Sequence, residues 1–534
     1  MTVEWDFVIV GSGFGGSVSA LRLTEKGYRV LVLEKGRRFG ALDFAKTNWN
    51  LKRWMWLPRL GCRGIFKMTF LEHVTALSGV GVGGGSLVYA NTLPVPKRPF
   101  FEAASWGHLA AWEEELKPHY ETAHRMLGAT RTPFLTEPDE VLREVGRQIG
   151  RADAFESTDV AVFFGRPGQA DKAGDVVPDP FFGGEGPERT VCNRCGGCMV
   201  GCRHGAKNTL DKNYLWLAEK KGLTIRPDTE VTFVEPLPGG GYAITAKEGR
   251  SPFRRLQKTV RVTARNVVFS GGCLGTTELL LQLKERPDGL PKISDRLGQF
   301  VRTNSEVLVG VVTTKDKDLS QGIAIGSILH TDDHSHLEPV RYPSGSGFFR
   351  PLMLPFAPGD TLGARFAHAL SAFLRNPLKT VGAFLVPDWA RRTMILLYMR
   401  TVDGHLTMGL GRSWRTGFLR GLDTRRGAGP PAKAWTPEAN DLTERVSKIL
   451  DAYPTSLMTE TLLGIPSTAH ILGGCPMGDS PQAGVIDHRH RVFGYEGLYV
   501  VDGAAISANP GVNPSLSITA LAERAMTFIP PKGA

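Results

Sequence analysis

The stretch that most constrains this chain is its beginning. Phe7-Val8-Ile9-Val10 is a short apolar run with the pattern of a buried strand, and it leads directly into Gly11-Ser12-Gly13-Phe14-Gly15-Gly16. Ser17-Val18-Ser19-Ala20-Leu21-Arg22-Leu23 then has a helical apolar rhythm, and Arg29-Val30-Leu31-Val32-Leu33 is a second apolar run closed by Glu34. Strand, tight turn, helix, second parallel strand and acid, in that order, form a dinucleotide-binding unit. Gly11 makes the turn, Gly13 lets the backbone approach a pyrophosphate at the helix N-terminus, and Gly16 lets helix and strand pack closely. Glu34 is placed to hold a ribose 2′-hydroxyl, which favours FAD or NAD over NADP. The motif does not choose between those two.

A chain of 534 residues exceeds what one hydrophobic core usually supports, so at least two domains sharing a cleft are expected. With 42% hydrophobic and 22% charged residues and no run long enough to span a bilayer, it has the balance of a soluble globular protein. The net charge of +11 favours anionic partners. Its basic residues are interleaved with acids and carry no aromatic-basic stripe, so nucleic acid is not expected, and an anionic membrane surface is the better partner. Seven cysteines do not make a disulfide framework, and no signal-like region precedes Phe7. The expected location is cytoplasmic, with peripheral membrane association in addition.

A second glycine-rich loop runs from Gly79 to Asn91, Gly-Val-Gly-Val-Gly-Gly-Gly-Ser-Leu-Val-Tyr-Ala-Asn. Since the first loop already serves the pyrophosphate, this one points to another part of a long cofactor. Here the chain resembles the glucose-methanol-choline (GMC) flavoprotein oxidoreductases, in particular their cholesterol oxidase branch, which carry a comparable loop over the isoalloxazine and ribityl chain. The resemblance implies FAD, with Gly81, Gly83, Gly84, Ser86 and Asn91 at the cofactor. That branch usually places Asn directly after Ser-x-x, where this chain has Tyr89. The resemblance continues in Asp228-Thr229-Glu230-Val231, with Val231 at the adenine, in Asn266 to Gly275, and in Leu498 to Gly503, with Asp502 and Gly503 at the flavin. It implies an α/β fold in which a Rossmann-type FAD-binding domain (1–95, 190–300 and 466–534) is interleaved with an α+β substrate domain built on an antiparallel sheet (96–189 and 301–465).

Ser467 to Gly478 resembles the family's H-x-x-G-G-x-x-x-G segment, and Asn509 to Ser515 resembles the segment that follows it. The resemblance puts His470 and Asn513 at the flavin. Chemistry supports donors there, because hydride loss from an alcohol leaves negative charge on its oxygen, which an imidazole and an amide can hold. Asn513-Pro514-Ser515 reads as an N-cap followed by Pro at the first helical position, which aims a helix N-terminus at the reduced flavin. The branch also has a Glu base on the substrate domain. Its best match is Glu338, in His336-Leu337-Glu338-Pro339-Val340-Arg341-Tyr342; the plain alternative is a surface carboxylate paired with Arg341. The histidines of His330 to His336 lack regular metal-ligand spacing and read as a solvated loop.

Two segments match the family poorly. Residues 348–400 carry a helical stripe of Leu362, Phe366, Leu370 and Phe373 flanked by Arg365, Arg375 and Lys379. Residues 49–70 carry Trp49, Trp54, Trp56, Phe66 and Phe70 among basic residues. Such segments either meet a lipid interface or apolar ligand, or form ordinary core. The first reading makes the substrate a bulky lipophilic alcohol, a sterol or terpenoid, oxidised by hydride transfer from the carbinol carbon to flavin N5. The alternative is a GMC-fold lyase or light-driven decarboxylase acting on a fatty substrate. The electron acceptor, O2 or a quinone or electron-transfer protein, is left open.

One motif stands apart. Cys192, Cys195, Cys198 and Cys202 have the C-x2-C-x2-C-x3-C spacing of a bacterial ferredoxin. The expected location disfavours a disulfide clasp, and the spacing disfavours a zinc knot. Two readings remain: an iron-sulfur cluster held by three or all four thiolates, or a reduced, close-packed turn leading into a helix over Ala206 to Leu210. A cluster would argue for a dehydrogenase, whereas an empty turn leaves an oxidase open.

Overall fold

The computed structural model describes residues 3–533. The two N-terminal apolar runs pair in parallel, from Phe7 opposite Val30 to Val10 opposite Leu33. A parallel pair needs a crossover, and the helix Phe14–Glu25 supplies it. Thr224–Arg226 extends the sheet beyond Val30–Leu33. On the other side lies the twelve-residue strand Lys258–Phe269. Its first half pairs antiparallel with Tyr242–Glu248, which in turn pairs with Thr229–Pro236, and its last residues pair in parallel with Leu498–Val500. This register brings three chain ends together: Val10 leads to Gly11, Phe269 to Ser270, and Val500 to Val501 and Asp502. Ligands of open α/β sheets bind at such carboxyl ends.

The second sheet is antiparallel throughout. Its strands run in the order Met353–Pro355, Ala452–Leu457, Val307–Thr313, Thr393–Arg400, Ser335–Val340, Ser327–Leu329 and Phe155–Ser157. Alternation along the strands decides its two faces. Val307, Val309, Val311, Met394, Leu396 and Leu337 pack against the helices Glu137–Gln148 and Pro437–Leu450. Leu308, Gly310, Ile395, Leu397 and Val340 line a cavity between the two sheets. The same period of two puts Glu338 on the cavity side of its strand, beside Val340 and opposite Leu397.

Local differences from the sequence reading have physical causes. Ala206 to Leu210 is not helical; the helix there is Tyr214–Lys220, started by the Asn213 side chain accepting from the Tyr214 N–H. The C-terminal helix spans Ser515–Thr527 with Pro514 rather than Asn513 as its N-cap, which frees the Asn513 side chain. Only Asp332 to His334 form the exposed part of the histidine-rich stretch, while Ser335 and His336 are buried in a strand. Within 49–70, Trp54 is fully buried and stacks on Phe66 with ring centroids 4.4 Å apart, so that part is core. Leu362–Arg375 behaves in the opposite way. Arg365, read as a basic flank, turns inward and donates to the carbonyls of Gly359, Thr461 and Leu462, while Leu362, Phe366, Leu370 and Phe373 stay 41–65% exposed. Pro377–Leu385 continues this apolar face with Leu378, Val381 and Leu385.

Candidate active site

A cavity of about 1650 Å³ runs from the ends of the parallel strands to the inner face of the antiparallel sheet. Pockets for single drug-sized ligands are about 300–1,000 Å³, so this one has room for a dinucleotide and a second molecule. At the strand end, Gly11 sits in the left-handed region at φ +98°, and Gly13 begins the first helix without a side-chain cap. A Cβ on Gly13 would meet no protein atom within 4 Å, so its backbone faces open space, whereas a Cβ on Gly15 would collide with the Val501 carbonyl. An uncapped helix start beside open space suits a pyrophosphate.

Glu34 is buried at the edge of this space. Its carboxylate accepts from the Ser12 N–H at 3.0 Å, the Ser12 hydroxyl at 2.8 Å and the Gly36 N–H at 2.8 Å. Burial raises its pKa, and these donors oppose the rise. Ser12 also accepts from the Gly83 N–H at 3.1 Å, which ties the two glycine loops together. Asp502 accepts from the N–H groups of Gly272 and Ala504, each at 2.8 Å, and burial pushes its carboxyl up to about 6 against those bonds.

The residues read from the sequence divide into two layers. Gly11, Gly13, Glu34 and Gly84 line the cavity at its nucleotide end with Val231, which lies where its strand slips register. Asp502, Gly503, His470 and Asn513 line it farther in. Gly16, Gly81, Gly83, Ser86, Asn91 and Glu338 stand outside its lining. Ser86, for instance, locks the second loop by donating to the Gly83 carbonyl at 2.7 Å and accepting from the Leu210 N–H at 3.1 Å. Asn91 is fully buried, at φ +73°, with its side-chain amide against the Cys198 thiol.

At the inner end, His470 Nδ1 pairs with Glu306, a buried carboxylate whose other oxygen accepts from the Ala469 N–H at 2.9 Å. Among the described residues, His470 Nε2 has no hydrogen-bond partner, and the ring lines the cavity. Burial disfavours the charged ring, but the attraction of Glu306 outweighs it, with Glu338 adding to it, so the His470 pKa is raised. Asn513 lines the cavity and donates through Nδ2 to Glu338 at 3.2 Å, leaving its own Oδ1 unpaired. Glu338 is fully buried behind it. His336 Nε2 lies 3.3 Å from Glu338 Oε1 but out of hydrogen-bond alignment, so both atoms lack a bonded partner. Arg341 pairs with Asp139, which removes the surface-pair reading of Glu338.

Glu306 was not found from the sequence, since a single acid ahead of an apolar run carries no spacing signal. The same holds for Glu460, a buried carboxyl in the cavity wall that burial raises to about 7. From the antiparallel sheet side the wall is apolar, formed by Leu308, Ile395, Leu397, Phe349, Met353 and Trp389. The cysteine segment lies in a different place, around a separate cavity of about 370 Å³. Among the described residues, no three Cys, His, Asp or Glu side chains are placed to hold a single metal ion.

The open cradle at Gly13 and the room beyond it have the space and the free backbone donors that an FAD would need. A nucleotide cradle at the ends of the parallel strands, next to an apolar chamber walled by the antiparallel sheet, suits an FAD-dependent oxidoreductase of alcohols. Comparison with known proteins agrees with that class. The GMC oxidoreductase models match residues 187–283 and 424–522, and an NAD(P)-binding Rossmann-like domain matches residues 9–52. The chain is 46% identical to a cholesterol oxidase of Acinetobacter baumannii, over 99% of this chain and 95% of that protein. It is 47% identical to a cholesterol oxidase of Mycobacterium tuberculosis (strain ATCC 25618 / H37Rv), over 100% and 92%. This chain belongs to the GMC oxidoreductase family. Among solved structures, pyridoxine 4-oxidase from Mesorbium loti has a similar fold, with a TM-score of 0.61 at 15% identity over 98% of this chain and 99% of that one.

Proposed function

We propose that this protein oxidises the secondary hydroxyl of a sterol-like lipid to a ketone. The observation that carries the reading is the pairing of one polar end, His470 with Glu306 and Asn513 with Glu338, with an otherwise apolar chamber. A sugar would leave its hydroxyls unpaired against Leu308, Ile395, Leu397 and Met353, at a cost of about 1–3 kcal/mol per buried group. The similarity to cholesterol oxidases supports a sterol. No feature of the chamber favours a lyase or decarboxylase.

Bound FAD supplies the hydride acceptor. His470, kept protonated by Glu306, donates from Nε2 to the substrate oxygen and holds the negative charge that builds there. Asn513 orients the hydroxyl from the cavity wall, and Glu338, buried behind the Asn513 amide with Oε1 unpartnered, takes up the hydroxyl proton once that amide swings aside to admit it. The N-terminus of Ser515–Thr527, at the same wall, favours negative charge on the reduced cofactor.

The apolar helix pair Leu362–Arg375 and Pro377–Leu385 docks on a membrane surface. It packs against Met458–Leu463, whose Glu460 lines the chamber, so lipid is met next to the substrate end. Burying the exposed half of Leu362, Phe366, Leu370 and Phe373 is worth roughly 3–6 kcal/mol, since a whole side chain gives about 1.5–3 kcal/mol. No helix among the described residues is long and apolar enough to cross a membrane. The test is product analysis. A 3β-hydroxysterol is expected to yield its ketone with the FAD-loaded protein and at least about a hundredfold more slowly with His470→Ala. Ketone formation at an equal rate in that variant would refute the role given to His470, and no ketone from any sterol would refute the substrate class.

A further inference from the structure

Glu338 is fully buried, yet each turnover leaves a proton on it. Oxidising a carbinol to a ketone gives up a hydride and a proton. The hydride carries both electrons to the cofactor, and the proton has to leave Glu338 before the next substrate is served. Asn513 and the bound lipid stand on its chamber side, so the exit lies elsewhere. Alternation along Ser335–Val340 puts His336 on the same face of the sheet as Glu338, two residues back. In the neighbouring strand Leu329 pairs with Leu337, and the same register carries on to set His330 opposite His336, with ring centroids 6.0 Å apart. Phe155–Ser157 is the edge strand beyond, where Glu156 pairs with Ile328 and so shares the face of His330. Glu156 Oε1 lies 3.3 Å from His330 Nε2, and its side chain is 46% exposed. One sheet face thus carries Glu338, His336, His330 and Glu156 in a line from the buried base to solvent.

Three atoms on this line are buried without a hydrogen-bond partner: Glu338 Oε1, His336 Nε2 and His330 Nδ1. Each such atom costs about 1–3 kcal/mol, so stability alone would not keep them in neighbouring side chains. The two oxygens of Glu338 have different neighbours. Oε2 accepts from Asn513 Nδ2 at 3.2 Å, while Oε1 lies 3.3 Å from His336 Nε2 and needs only a turn of that ring to bond. Between the histidines, rotation of a ring or one bridging water closes the gap. Burial, the Lys97 ammonium and His336 together push the His330 pKa down against the pull of Glu156, so this ring is neutral near pH 7 and able to accept a proton.

We propose that His336 and His330 form a proton relay that empties Glu338 to solvent through Glu156. The relay rests on the reading of Glu338 as the group that takes the hydroxyl proton. As the substrate O–H bond breaks, an O–H bond forms on Glu338. The carboxyl turns, gives that proton to His336 Nε2 and is a carboxylate again. His336 releases the proton of its other nitrogen toward His330, which accepts at Nδ1 and releases its Nε2 proton to Glu156 and so to water. No electrons move along the line, one proton crosses it, and rotation of each ring restores its starting form.

The test follows single turnovers of the flavin-loaded protein with a 3β-hydroxysterol by stopped flow without oxygen. Flavin bleaching reports hydride transfer, and a pH-indicator dye in weakly buffered solution reports the proton. In the unaltered protein the proton is expected to appear together with the bleaching. In His336→Gln it is expected to lag behind the bleaching by at least about tenfold. His330→Gln, at a strand end where the side chain is 27% exposed, provides a second variant that disturbs the core less, and the same lag is expected there. Added imidazole is expected to shorten the His330→Gln lag, which a merely structural role would not allow; flavin content and melting temperature verify that both variants fold. A proton that keeps pace with the bleaching in both variants overturns the relay and leaves the oxidation standing. A flavin that no sterol bleaches, even in the unaltered protein, removes the oxidation reading and the relay with it.

Discussion

His470 and Glu306 are 164 positions apart, and the chemistry proposed at the substrate oxygen rests on their contact. Because Glu306 raises the His470 pKa, the protonated ring persists to higher pH than an ordinary histidine near 6.5. Its contribution to stability is complete below that ordinary value and is lost as pH rises through the raised one. Activity that needs the Nε2 proton falls over the same upper range. Glu306→Gln removes the charge, so the alkaline limb of the kcat profile is expected to move to lower pH with flavin content unchanged; an unmoved limb would contradict the role. His470 and Asn513 stand out as candidates in the sequence because they sit in short glycine-rich segments with a family resemblance, and both line the cavity. Glu306 does not, since only the folded antiparallel sheet brings it to the ring. Glu338 stands between these cases: the resemblance nominates it, and the alternation of its strand turns it toward Asn513.

The strand, turn and helix at the N-terminus show how close neighbours give glycines different tasks. A Cβ at Gly15 meets the Val501 carbonyl, so Gly15→Ala is expected to lower the melting temperature of flavin-free and flavin-loaded protein alike. At Gly13 the Cβ meets only open space, so Gly13→Ala is expected to leave the stability of the flavin-free protein within about 0.5 kcal/mol of unchanged while weakening FAD binding. Calorimetry together with flavin titration separates the two, and an equal apo-protein loss at both positions would contradict the cradle. This element was readable because a short continuous apolar run, a glycine turn and a helical rhythm are local signals. The Ala206 to Leu210 helix was misread because the residues there serve the neighbouring compartment instead, Lys207 by reaching three carbonyls and Asn208 by accepting from Arg189 at 2.8 Å.

At the scale of the whole molecule, two sheets share one cavity, and an apolar helix pair stands beside its substrate end. The sequence showed that stripe without showing its partner, because the same spacing serves core and interface; its exposure and the inward turn of Arg365 take it out of the core, and a membrane is the partner proposed for it. Phe366→Asp with Leu370→Asp is expected to cut binding to anionic, sterol-containing vesicles at least about tenfold while leaving kcat on detergent-dispersed sterol unchanged, and vesicle co-sedimentation measures it. Undiminished binding would remove the docking face. The central claim, hydride transfer from a sterol carbinol to FAD beside His470 and Asn513, is tested most directly by mixing the flavin-loaded protein with a 3β-hydroxysterol in the absence of oxygen. The visible flavin absorbance is expected to bleach, and to bleach several-fold more slowly when the carbinol carbon carries deuterium. A flavin that stays oxidised with every sterol tried, or a bleaching rate indifferent to the deuterium even in a single turnover limited by chemistry, would contradict the account.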